Sequence, residues 1–101
     1  MCRVLNKRTD AHDGAVYIGR GSKWGNLFVI GRDGTRAEVI AKYVVWLADQ
    51  HHLLRALDEL RGRDLLCWCA PLACHGDLLK YLAAANRNER VAWWRGVKAA
   101  A

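Results

Sequence analysis

Apolar residues recur along this chain in two rhythms, one short and β-prone, the other helical. "CRVLN" (residues 2–6) is a brief β-prone run and "AVYIG" (residues 15–19) is rich in β-branched and aromatic residues, and both predict strands. "LFVI" (residues 27–30) predicts a third, ended by the turn sequence "GRDG". The rhythm then changes. Ile40, Tyr43, Val44 and Leu47 fall at i, i+3, i+4, i+7, one face of a helix. Thr35 and Glu38 supply the T-x-x-E capping pattern at its start. Leu53, Leu54, Leu57 and Leu60 predict a second helix over residues 50–60, with Gly62 suited to its end. "DLLCWC" (residues 64–69) is almost wholly apolar and predicts a buried central strand. A last clear helix opens at Cys74, turns Leu78, Leu79 and Leu82 inward, and ends near Asn86. The tail over residues 87–101 is basic and aromatic, and reads as a further helix or a packed arm.

Strands at both ends of a helical middle predict an α/β domain: a short, mostly parallel sheet with flanking helices. At 101 residues the chain reads as one domain. Ligands in such sheets bind beyond the carboxyl ends of the strands. That rule selects two loops, "RGSKWGN" (residues 20–26) and "CAPLACHGD" (residues 69–77).

Composition narrows the setting. A hydrophobic content of 52% and five tryptophans imply a folded chain. No apolar run is long enough to span a membrane. The N-terminus has no apolar signal segment, so a cytoplasmic location is expected. Thiols stay reduced there, and clustered cysteines act as metal ligands or reactive groups more often than as disulfides. The formal charge of +6 is concentrated toward both ends of the chain, which favours an anionic partner, nucleotide or nucleic acid.

The candidate chemistry lies in the two loops. In the first, Arg20 and Lys23 suit an anion, while Trp24 and Asn26 suit a base or sugar. A tight turn with solvated charges explains the same residues. The second loop gathers thiols, and three readings stand. Cys67, Cys69, Cys74 and His75 form a Cys3His set suited to zinc. Alternatively Cys74, at a helix N-terminus, is a reactive thiol assisted by His75 and Asp77, with Cys69 beside the ligand. Or the cysteines pack a corner, as buried thiols often do.

Together "YIGRGSKWGNLF" and "CWCAPLACHGDLL" resemble the signatures of domain-of-unknown-function family 4326, a small family common in actinobacteria and their phages. The family pattern reads GNPF where this chain has Leu27. The resemblance implies a Rossmann-like layout akin to nucleotide-processing domains, although the PGGxGTxxE motif of those domains is absent. The expectation is a small α/β protein that binds a nucleotide-derived or nucleic-acid ligand between the two loops, with thiol chemistry left open. The alternative is a non-catalytic binding module, with or without a stabilising zinc, such as a phage protein acting on a host protein or DNA. No other cofactor is expected.

Overall fold

The computed structural model of the chain describes residues 4–6, 14–68 and 74–100. Three short strands form the sheet: β1 (Val4–Asn6), β2 (Val16–Tyr17) and β3 (Leu65–Cys67). Their order is β1-β3-β2, and both pairings are parallel. All three residues of β3 are buried, as the unbroken apolar run requires of a central strand covered on both faces.

Between β2 and β3 lies helix α1 (Arg36–Ala48), which begins as its sequence pattern predicts. The Thr35 hydroxyl accepts from the Glu38 N–H at 3.2 Å, and the Glu38 carboxylate accepts from the Thr35 N–H at 3.0 Å. Val39, Tyr43 and Leu47 form its buried face, while Ile40 and Val44 sit at the margin, half-buried. The predicted helix over residues 50–60 is divided. Helix α2 (His51–Arg55) gives way to a 3-10 turn at Leu57–Leu60. Side chains three apart eclipse in the tighter turn, so Leu57 and Leu60 stack together toward the core. Gly62 follows with φ +73°, the left-handed conformation expected at the end of that element.

Two expectations are corrected. Residues 27–30 form no strand. The N–H of Phe28 donates to the Asn26 carboxamide oxygen and that of Val29 to the Asp33 carboxylate, so side chains take the place of a neighbouring strand. Asn26 also donates to the Val39 carbonyl, which ties this irregular segment to α1. Second, Asn86 does not end helix α3 (His75–Ala84); it starts helix α4 (Arg87–Ala100). Asn86 and Glu89 exchange reciprocal side-chain-to-backbone hydrogen bonds, each of 2.8 Å. The end of α3 is held by arginines instead. Arg61 donates to the Ala83 and Ala85 carbonyls, and Arg90 to those of Leu82 and Ala83. Cations at a helix C-terminus satisfy its last carbonyls and oppose its dipole.

Helix α4 folds back against α1. Trp94 donates to the Ala48 carbonyl at 2.8 Å, Lys98 pairs with Asp49, and Trp93 packs on the core. The tail tryptophans therefore close the core. Among the described residues, no helix is long and apolar enough to cross a membrane.

Candidate functional site

A cavity of about 550 Å³ opens beyond the carboxyl ends of β2 and β3. Four segments meet there: the turn after β2, the irregular stretch 26–30, the first turns of α1, and the junction between β3 and α3.

Arg20 reaches the cavity because the turn after β2 is unusually tight. Ser22 donates to the Gly19 carbonyl through both its hydroxyl (2.7 Å) and its N–H (3.1 Å). Gly25 then passes against Gly19, where a Cβ would lie 2.8 Å from the Gly19 carbonyl oxygen. Glycine is needed there for that close approach. The Arg20 side chain is exposed, and no hydrogen bond or ion pair holds it among the described residues. Its neighbours in the loop are placed elsewhere. Lys23 pairs with Glu59 at 2.7 Å and lies outside the cavity. Trp24 is 2% exposed and packed in the core, with its carbonyl accepting from the Tyr43 hydroxyl at 2.7 Å. Stacking on a ligand needs an open ring face, and Trp24 has none. Asn26 lines the cavity, but both ends of its carboxamide are occupied by backbone partners.

Trp68, 55% exposed, lines the cavity instead. It follows the last residue of β3, and its carbonyl accepts from the Asn6 carboxamide at 3.1 Å. Phe28, Val29 and Ile30 form an apolar wall, and Arg36, the first residue of α1, adds a second cation at the rim. The sequence reading passed over Trp68 and Arg36. Their positions were signal enough: one lies near the carboxyl end of a predicted strand, the other directly follows a predicted N-cap.

At the β3–α3 junction, Cys67 and Cys74 bring their sulfurs to 3.3 Å, and both line the cavity while remaining buried. Cys74 is the N-cap of α3, and its sulfur accepts from the Gly76 N–H at 3.3 Å. Asp77 closes the box by accepting from the Cys74 N–H at 3.2 Å. Asp77 is exposed and does not line the cavity. His75 does, and it is buried. Its Nε2 lies 2.7 Å from the Ile18 carbonyl, which can only accept, so Nε2 carries the proton. Burial lowers the His75 pKa below its usual value, against smaller opposing effects of that hydrogen bond and of Asp77. Tyr43 meets the imidazole edge-on, and its own hydroxyl pKa is raised by burial.

Of the zinc set, Cys67, Cys74 and His75 all line the cavity, but no group of three ligand side chains that could hold a metal occurs among the described residues. Cys69 lies outside the described residues, as does the proline corner.

The sequence profile of a domain of unknown function, DUF4326, matches residues 4–85. The chain belongs to this family. It is also 37% identical over 87 residues to the "Uncharacterized 12.4 kDa protein in nrdA-td intergenic region" of Enterobacteria phage T4, covering 81% of this chain and 77% of that protein. No solved structure matches it. Every cavity residue of this DUF4326 member falls within the matched segment, whereas α4 lies beyond it.

Proposed function

We propose that this DUF4326 protein binds a nucleotide-class ligand, a flat ring joined to an anionic group, in the cavity at the carboxyl edge of its sheet. The reading treats the sheet as a short Rossmann-like one, whose ligands collect at that edge. One observation carries it: Trp68, an apolar wall and two arginines line the same hollow. Its volume lies within the range of small-molecule sites, roughly 300–1,000 Å³. Trp68 supplies a stacking surface, and Arg20 and Arg36 supply the anion's partners. The first turns of α1 and α3 add the positive ends of two helix dipoles.

A titration followed by calorimetry tests the proposal, using nucleoside monophosphates, the matching nucleosides and inorganic phosphate. The monophosphates are expected to bind about tenfold more tightly than the nucleosides. Arg20→Ala should abolish that margin, and Trp68→Ala should weaken nucleotides and nucleosides alike. Failure of every nucleotide to bind at low salt would overturn the reading. Tight binding only of longer single-stranded DNA would move the site from nucleotide to nucleic acid.

General base catalysis by His75 on Cys74 has less support. The Nε2–H donation to the Ile18 carbonyl leaves Nδ1 as the basic nitrogen, but burial lowers the basicity of that imidazole, and Asp77 is engaged outside the cavity. The zinc-stabilised alternative draws on the same thiols, and the metal content of the purified protein separates it from the ligand reading.

A further inference from the structure

Cys67 and Cys74 come from elements held by different forces. Cys67 ends the central strand, in register with Asn6 of β1. Cys74 is fixed by its own capping box. Neither needs to move far for the sulfurs, 3.3 Å apart, to reach the roughly 2.05 Å of a disulfide. Gly76 makes the approach feasible. A Cβ there would lie 2.8 Å from the Ile18 side chain and 3.2 Å from the Cys74 sulfur. Its bare Cα lets α3 begin hard against the sheet, which brings Cys74 over Cys67.

The choice of residue at this cap is informative. The other two capping boxes of the described chain use oxygen, from Thr35 and Asn86. Sulfur is the weaker acceptor, yet it occupies the one cap that lines the cavity and faces a second thiol. The Gly76 N–H donates to that sulfur, an arrangement that stabilises a thiolate.

We infer that Cys67 and Cys74 form a dithiol–disulfide couple that exchanges with small-molecule disulfides entering through the cavity. The Cys74 thiolate attacks one sulfur of the incoming disulfide, and the departing thiolate takes up the proton that Cys74 released. Cys67 then attacks the Cys74 sulfur of the mixed disulfide. This expels the second small thiol with the proton of Cys67. The protein dithiol is oxidised by two electrons, and one small disulfide is reduced to two thiols. The inference does not depend on which ligand fills the cavity.

Oxidised glutathione serves as the probe on the full chain. Residues 64–80 form a single tryptic peptide that contains Cys67, Cys69 and Cys74, because no Lys or Arg interrupts it. After oxidation under native conditions, acid quench and maleimide labelling, that peptide should have lost two hydrogens and carry label only on Cys69. In urea the preference should fall at least tenfold, with the three possible pairings mixed. Cys67→Ser should instead trap glutathione on Cys74. Full labelling of all three cysteines after native oxidation would overturn the inference. So would a native link that uses Cys69, or a pairing preference unchanged by urea.

Discussion

Helices α1 and α3 both start with a reciprocal capping box, and both direct their first turns to the same cavity, but they are built differently. The α1 cap is an exposed hydroxyl, Thr35, and it acts as helix punctuation. The α3 cap is a buried thiol, Cys74, set against a second thiol and a buried imidazole. The first box is optimised for starting a helix. The second uses sulfur, a poorer acceptor, and that sulfur lines the cavity beside Cys67. Helix starts that share one geometry can therefore serve different ends, and burial together with the chemistry of the capping atom distinguishes them.

That contrast can be broken in several ways. The largest effect is expected from Gly76→Ala at the α3 start, where the added methyl group meets Ile18, Val4 and the Cys74 sulfur. Overpacking of this kind should lower stability by about 2 kcal/mol in urea unfolding. A change under 0.5 kcal/mol would mean that α3 is not seated as closely as described. Thr35→Ala removes a conventional cap and should cost about 1 kcal/mol by the same measurement, with the cavity's ligand affinity unchanged.

Cys74→Ser sharpens the comparison further. If the thiol were only a cap, the better acceptor would stabilise the protein. We expect a net loss of roughly 0.5 kcal/mol, because the hydroxyl is buried beside Cys67. The smallest effect should come from pH. The pKa of His75 is depressed in the fold, so its neutral form contributes stability that is complete above its unfolded value near 6.5. That contribution is lost progressively as pH falls below 6.5 toward the folded value. Melting temperatures measured from pH 7.5 down to 5 should show the decline, and His75→Gln should flatten it.

Much of the fold was legible because it is encoded locally. The T-x-x-E pattern at Thr35, the leucine spacings and the apolar run at β3 each fix an element through neighbouring residues. The candidate site was legible in outline only as a place in the fold, since both selected loops border the cavity. Individual residues fared less evenly. Arg20, Asn26, Cys74 and His75 line it; Lys23, Trp24 and Asp77 do not. A polar, glycine-punctuated loop reveals that it turns, but not which of its side chains folds inward. Trp24 was drawn under Tyr43 by the core, and Trp68 took the exposed position at the strand end.

By itself the sequence determined the class of fold, the edge of the sheet at which the cavity opens, the family, and the start of α3 at Cys74. These depend on residue patterns within a few positions of one another. Only the tertiary structure decided that Cys74 meets Cys67, that Asn26 and Asp33 replace a strand with side-chain hydrogen bonds, and that Trp68 rather than Trp24 lines the cavity. The first of these depends on how α3 seats against the sheet. Gly76 sets that distance by what it lacks, and the sequence could show the glycine but not the side chains pressed against it.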